Sequence, residues 1–332
     1  MAILVFCIMD FLTKIKTPIE QEMVAFNTYF KSQFKSDVAL LDDSLRYVGE
    51  SSGKMMRPML MMLVAKSVGE INTKTFAAAT AMEMLHTASL LHDDVIDESD
   101  KRRGRQSLNA RFNNNIAVLT GDFLFSQALN NAAVTQDCRV VQELSILGKA
   151  LSRGELQQVE LQQSGLYSED NYIKVIYNKT ASLFVCSAVC AAYSVGCNEE
   201  SVECFRKFGE HIGLCFQIKD DIFDYYSNDV GKPTGSDMRE GKITLPAIYV
   251  LRESKNPILE PMRISISKGE FLDENAIESL IRISVEEGGV EYAFATIKHY
   301  RALAIDALPA NVPDDIRDAL IAYIDYVINR DK

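Results

Sequence analysis

Two aspartate clusters of one pattern, Asp93-Asp94-Val95-Ile96-Asp97 and Asp220-Asp221-Ile222-Phe223-Asp224, each close a long apolar stretch of helical spacing. A helix C-terminus carries the negative end of the macrodipole, so carboxylates placed there need a compensating cation. Residues four apart share a helix face, which pairs Asp93 with Asp97 and Asp220 with Asp224. Asp94 and Asp221 stand about 100° round the axis. One or two carboxylates suit Mg²⁺, which keeps waters and completes its octahedron with substrate phosphate oxygens. The chemistry implied is metal-assisted binding of a diphosphate, with all six aspartates as candidate ligands. Either cluster alone reads equally as the solvated acidic end of a surface helix; two in the same pattern do not.

Cations flank the first cluster. Lys101-Arg102-Arg103-Gly104 follows it, and Gly53-Lys54-Met55-Met56-Arg57-Pro58 precedes it. Arginine grips phosphate bidentately and lysine supplies a compact charge, which suits two diphosphate pockets. Lys54 and Arg57 taken alone are as readily an exposed loop. Lys179 and Thr180 interrupt the apolar run from Tyr172 to Val195, where the lysine either snorkels or holds an anion. His86 shares a helix face with Asp93 and is a candidate donor to phosphate. Neutral imidazole argues against a Mg²⁺ role for it or for His92, which is either helix packing or support for the ligands. Gln217, one turn before Asp220, is placed to orient an intermediate. Phe216 offers an aromatic face of the kind that steadies a cation. The polar interruption Ser227 to Lys242, with Lys232 and Lys242 among its glycines, reads as a mobile loop and a candidate lid.

The elements that must position these groups read as helices. The chain has 332 residues, 47% of them hydrophobic, but only 17 glycines and 8 prolines, too few punctuators for a sandwich or barrel. Helices are expected over Ile19–Phe34, from near Pro58, and over Thr73–Asp97, Ile116–Ala133, Cys138–Gln163, Glu169–Val195, Glu199–Tyr225 and Thr244–Leu251. Several more are expected between Asn275 and Asn329, and no segment has a strand period. The expectation is a single all-α domain over residues 1–332, with residues 1–18 as a flexible N-terminal extension. A net charge of −11 argues against a nucleic-acid or anionic-membrane surface. Seven cysteines without metal spacing read as buried thiols in a reducing cytoplasm, Cys186 and Cys190 sharing one apolar helix face. The apolar stretch Ile3–Met9 is too short and wrongly flanked for a signal peptide or a membrane span, so no integral membrane segment is expected.

The run DDVIDESDKRRG resembles the first aspartate-rich motif of the trans-isoprenyl diphosphate synthase family, and FQIKDDIFD resembles its second. The order GKMMRP, HTASLLHDD, RRG, GELQQ, KT and GKPTGSDMREGK is also the family's. Ser52 departs from it, standing where a second glycine usually precedes Gly53-Lys54. The resemblance implies an isoprenoid synthase-type helical bundle around a deep central cavity, commonly a homodimer. It implies condensation of isopentenyl diphosphate with an allylic diphosphate, with three Mg²⁺ ions per active site and the metals bridging Asp93, Asp97 and Asp220. Arg102, Lys179, Lys232 and Lys242 would neutralise charge growing on the leaving group. Lys54, Arg57, His86 and Arg103 would hold isopentenyl diphosphate, Thr180 and Gln217 would lie beside the reacting carbons, and released diphosphate would take the proton.

Product length is read from the residues before Asp93. Ser89 and Ala88 are small where short-chain relatives commonly place a bulky aromatic, so a growing tail passes. Each helical turn of about 5.4 Å opened below the metals admits roughly one more isoprene unit. Phe125 and Leu129 are the next obstructions, or else ordinary core. The expectation is a long-chain all-trans polyprenyl diphosphate, for a quinone side chain. A shorter-chain farnesyl or geranylgeranyl synthase is the alternative. A non-catalytic subunit of a heteromeric synthase would be expected to lose aspartates, and a terpene cyclase would share only the first cluster.

Overall fold

The computed structural model describes residues 10–50, 53–226 and 234–330 and is about 79% helical, so the all-α expectation holds. Ser52, Lys232, Cys7 and the stretch Ile3–Met9 lie outside the described residues. The one sheet among those described is a two-residue ladder, Lys101 against Gln106 and Arg102 against Arg105. Its tip residues Arg103 and Gly104 have φ of 53° and 77°, the double positive φ of a type I′ hairpin turn. Strands this short carry no period, so the hairpin is invisible to a sequence pattern. The helices Ala39–Glu50 and Leu259–Ser267 were likewise not anticipated.

Residues 10–16 are helical and lead into the 3₁₀ turn Thr17–Ile19. Ile15 and Ile19 are fully buried, which corrects the expected flexible extension over residues 10–18. Two isoleucines four apart give that short segment an apolar face, and its burial anchors the helix.

The chain is made of two compact units. The first takes in the described residues up to Gly148 with Cys186–Arg206 and Leu308–Tyr323; the second takes in Lys149–Val185, Lys207–Ala307 and the described residues from Ile324. In the first unit the Thr73–Ile96 helix opens on Asn72, whose side chain accepts from Lys74 N at 2.8 Å in a capping box with Thr75. It packs along the Asn114–Val134 helix. At Gly121 a Cβ would stand 2.3 Å from His92 Nε2, so His92 is helix packing that glycine alone permits. Cys186 and Cys190 are buried with sulfurs 3.7 Å apart, as their shared face predicts.

The second unit is built on Leu214, Ile218, Ile222, Leu245, Ile248, Leu280, Ile283 and Ile297. Ile218 and Ile222 are at most 1% exposed, so the end of the Glu199–Phe223 helix that carries Asp220 and Asp221 is fixed from both sides. Lys179 sits in a π-helical turn, Tyr177–Ala181, the rare widening often found at functional sites. Gly154 and Gly213 admit this turn: a Cβ on the former would lie 2.6 Å from Lys179 Cγ, and on the latter 2.3 Å from Ala181 Cα. Glu169–Ser194 is the one described stretch long and apolar enough to cross a membrane, and 83% of its most apolar window is buried inside the protein, as in a core helix.

Candidate active site

In the first unit the Thr73–Ile96 helix ends at the first cluster, with Asp97 N donating to Asp93 O at 2.8 Å. Asp97 is exposed and Asp93 half-buried. Asp94 differs from both. Its side chain is 3% exposed, and Arg102 donates to its Oδ1 through Nε at 2.8 Å and through Nη2. The pair draws the hairpin onto the helix end, where Asn109 Nδ2 also donates to Asp94 O at 3.3 Å. Asp94 is thus paired with Arg102 and turned into the protein. The cause is the rotation of Asp94 away from the face of Asp93 and Asp97.

Beside this pair lies a cavity of about 80 Å³, lined by Gly53, Met55, Glu83, Thr87, Asp94, Arg102 and Arg103. His86 is 8% exposed; burial first, then the charges of Arg57, Arg103 and Arg102, hold its pKa well below the ordinary range. It is thus a neutral imidazole, with Arg57 and Arg103 near enough for their charges to act on it. Lys54 is exposed. Met55, Glu98 and Arg103 adopt φ of 52°, 50° and 53°, a left-handed conformation costly for side chains of this size and typical of functional loops.

The second unit holds a larger cavity, about 410 Å³, lined among others by Tyr172, Lys179, Thr180, Gln217, Asp220, Asp221, Asp224 and Lys242. A hydrogen-bonded relay crosses it. Thr180 Oγ1 donates to Gln217 Oε1 at 2.6 Å, Gln217 Nε2 donates to Asp221 Oδ1 at 2.7 Å, and Tyr172 OH donates to Asp221 Oδ2 at 2.6 Å. Burial pushes Asp221 up to about 7, helped by Asp237 and Asp220 and opposed by its two donors. Asp224 accepts from Ser236 N and Oγ at 2.9 and 2.7 Å and from Asp237 N at 3.1 Å. It caps the short helix Ser236–Arg239. Both Asp221 and Asp224 thus have oxygens that accept from protein donors, as Asp94 does.

Lys179 Nζ lies 2.9 Å from Glu155 Oε2 and 2.8 Å from Gln158 Oε1, and Lys242 Nζ lies 2.5 Å from Glu240 Oε2. Three residues escaped the sequence reading. Tyr172 stands two turns before Lys179 on one face, a spacing that was available. Glu83 stands one turn before His86. Arg330 gave no local signal, being 110 positions from Asp220, to which its Nη2 donates. Its guanidinium carbon lies 3.7 Å from the Phe216 ring centroid, so one face of Phe216 is already covered by a cation. Phe125 and Leu129 are 41% and 42% exposed in the single chain. Ala88 is 1% exposed, and Ser89 Oγ donates to His86 O at 2.9 Å.

Among the described residues no group of three or more His, Cys, Asp and Glu gathers to hold a metal ion by itself. Hard carboxylate oxygens at helix ends nonetheless fit Mg²⁺, which needs only one or two and draws the rest from water and phosphate.

The polyprenyl synthetase family profile matches residues 38–283. Octaprenyl diphosphate synthase of Haemophilus influenzae is 34% identical over 91% of this chain and 92% of its own. The polyprenyl synthase of Caulobacter crescentus, crystallised with calcium and isoprenyl diphosphate, superposes with a TM-score of 0.85 at 30% identity, covering 96% of this chain and 97% of that one. The geranylgeranyl pyrophosphate synthase of Bacteroides thetaiotaomicron gives 0.82 at 42% identity, over 97% and 100%.

Proposed function

The chain belongs to the polyprenyl synthetase family and is a trans-polyprenyl diphosphate synthase, and from that premise we propose that it builds a long-chain all-trans polyprenyl diphosphate, for a quinone side chain, with Mg²⁺. The observation carrying this reading is the pair of aspartate-tipped helices, each with its own set of cations and polar donors. Mg²⁺ held by Asp93, Asp97 and Asp220, three ions per site, would supply positive charge to the departing diphosphate.

The protein's own groups do the rest. Lys179, Lys242 and Lys232 neutralise charge that grows as carbon leaves oxygen, so they favour the transition state over the bound substrate. Arg57, Arg103 and Lys54 hold isopentenyl diphosphate, with neutral His86 donating one N–H. Thr180 and Gln217 present fixed dipoles to the allylic cation, their mutual hydrogen bond holding both in place. No described side chain is a dedicated base; the released diphosphate takes the proton.

A homodimer is proposed as well. Leu119, Phe125 and Leu129 lie exposed on the Asn114–Val134 helix, an apolar face that a second copy would cover; sedimentation at micromolar protein tests it. The six described cysteines are free thiols, in keeping with a reducing cytoplasm.

Incubation with Mg²⁺, isopentenyl diphosphate and farnesyl diphosphate, followed by sizing of the dephosphorylated products, tests the assignment. Products beyond the twenty-carbon length support the long-chain reading. The 42% identity to a geranylgeranyl synthase favours the shorter-chain alternative, which a single twenty-carbon product would establish. Retention of all six aspartates speaks against a non-catalytic subunit.

A further inference from the structure

Between the helices Cys138–Ser164 and Glu169–Ile176 the chain turns at Gly165. Its φ is 64°, and a Cβ there would stand 1.9 Å from Ile266 O, so only glycine lets the turn sit this close to that carbonyl. Gly165 N donates to Leu161 O and Tyr167 N donates to Gly165 O, both at 2.9 Å. Asn171 Nδ2 donates to Leu166 O at 2.9 Å. The backbone around Tyr167 is thereby fixed. Its side chain forms part of the wall of the larger cavity and of a small neighbouring one that Gln162 and Gly241 also line.

The Tyr167 hydroxyl donates to Gly241 O at 2.5 Å, and Gln162 Nε2 donates to Glu240 O at 3.0 Å. Gly241 N donates to Met238 O at 2.9 Å, and Lys242 N donates to Asp237 O at 2.8 Å. The two peptide units that lead into Lys242 thus have both N–H groups and both carbonyls partnered, in a segment outside any helix or strand. Regular structure satisfies such groups from its own ladder; here two side chains from another segment meet the carbonyls. Burial pushes the Tyr167 phenol up to about 12, so it remains an O–H donor throughout the neutral range. Lys242 lines the same larger cavity as Tyr167. Lysine carries its charge on a flexible four-carbon stem, so the reach of the ammonium depends on how firmly its backbone is held.

We propose that Tyr167, together with Gln162, is a positioning residue for the allylic diphosphate: their hydrogen bonds to Gly241 O and Glu240 O fix the backbone from which the Lys242 ammonium meets the leaving group. This rests on the reading of Lys242 as a charge at that leaving group. A charge fixed in advance needs no reorganisation as carbon and oxygen separate. The hydroxyl therefore acts on the rate of ionisation and leaves the affinity for isopentenyl diphosphate alone.

Tyr167→Phe keeps the ring and deletes only the donor; Gln162→Met keeps the side-chain length and deletes the other donor. Lys242→Ala removes the charge that both would place. Single-turnover rates of the first condensation, with Mg²⁺ and both substrates saturating, read the effect. Lys242→Ala should lower the rate by about 10²-fold or more. Tyr167→Phe should lower it about tenfold, the scale of a displacement of less than an ångström. Gln162→Met should act in the same direction, with the KM for isopentenyl diphosphate close to wild type in both. In the Lys242→Ala background, Tyr167→Phe should have no further effect, because residues acting as a unit are not additive. A wild-type rate in Tyr167→Phe overturns the inference. The same tenfold loss in the Lys242→Ala background also overturns it, since the hydroxyl would then act by another route. A lowered melting temperature with KM raised for both substrates would show a turn that only holds the fold together. A wild-type rate in Lys242→Ala removes the reading of Lys242 itself, and the inference with it.

Discussion

The two aspartate clusters share a pattern and part company in their surroundings. In each, the second aspartate turns away from the face of the first and into the protein. Asp94 meets a guanidinium, so its charge is matched by Arg102. Asp221 meets only neutral donors, Tyr172 and Gln217, with Asp237 and Asp220 nearby, and is pushed up to about 7. The third aspartates differ too: Asp97 is exposed at its helix end, whereas Asp224 caps a neighbouring helix. The same spacing of three aspartates thus builds a charge-paired end in one unit and a protonatable one in the other. What a motif fixes is the outward carboxylate; its electrostatics are set by whichever element comes to lie against its inner face.

The sharpest test of what the clusters share is removal of the outward carboxylates. Asp93→Ala and Asp220→Ala should each lower kcat by about 10³-fold or more, the scale of losing a charge that acts in the transition state, with helical content retained by circular dichroism. Near-normal turnover in one variant at saturating Mg²⁺ would leave a single catalytic cluster and end the parallel.

Next in size is a division of labour between the cations of the two regions. Arg57→Ala should raise the KM for isopentenyl diphosphate about 10- to 100-fold, and Lys179→Ala should mainly impair use of the allylic substrate. Steady-state kinetics with each substrate varied in turn decides it. Equal losses for both substrates in both variants would mean that the two cationic sets are not separate sites.

The inner aspartates should respond with opposite signs. Asp94→Asn breaks an ion pair with a partly exposed arginine and should destabilise by about 1–3 kcal/mol, less than a fully buried pair would give. Asp221→Asn removes a carboxyl whose folded pKa exceeds its unfolded 3.8. Wild type therefore loses stability as pH rises from about 4 to about 7, and the variant escapes that loss. At pH 8 without metal, Asp221→Asn should be about as stable as wild type or up to ~4 kcal/mol more stable. Melting curves at pH 5 and 8 in chelator check both; a shared sign would erase the contrast.

Much of this was legible in the chain because helical periodicity and the dipole argument need only local spacing. They placed both clusters at helix ends, Lys179 inside an apolar helix, and His86 on the face of Asp93. The sequence pattern did not show which oxygens were already spoken for. Arg102 pairs with Asp94 through a hairpin too short to have a period, and Ser236 reaches Asp224 across a loop. Arg330 comes from the far end of the chain to cover Phe216 and meet Asp220. The π-helical turn at Lys179 was invisible for another reason, since it depends on Gly154 and Gly213 approaching from other segments. The exposure of Phe125 and Leu129 in the single chain was not legible either, because apolar residues on a helix are assigned inward by default.

The smallest effect, and the finest probe of the contrast, belongs to Tyr172→Phe. The variant keeps the ring in the core and deletes the O–H that donates to Asp221 Oδ2 at 2.6 Å. That bond favours the ionised carboxylate, so its loss should raise the Asp221 pKa further, by about half a unit to one unit. In the metal-free protein the pH at which stability levels off should move upward by the same amount. The deficit relative to wild type should be about 1 kcal/mol at pH 8, where Asp221 is ionised in the folded state. It should shrink toward pH 5, where the carboxyl is protonated and one acceptor oxygen fewer needs a donor. Nothing comparable can be done to Asp94, whose partner is always charged, so a parallel Arg102→Gln variant should show a deficit that does not follow this pH course. Melting temperatures at unit pH intervals in chelator read both series. A Tyr172→Phe deficit that is flat with pH would mean that Asp221 does not titrate in this range, and the two clusters would then be electrostatically alike after all.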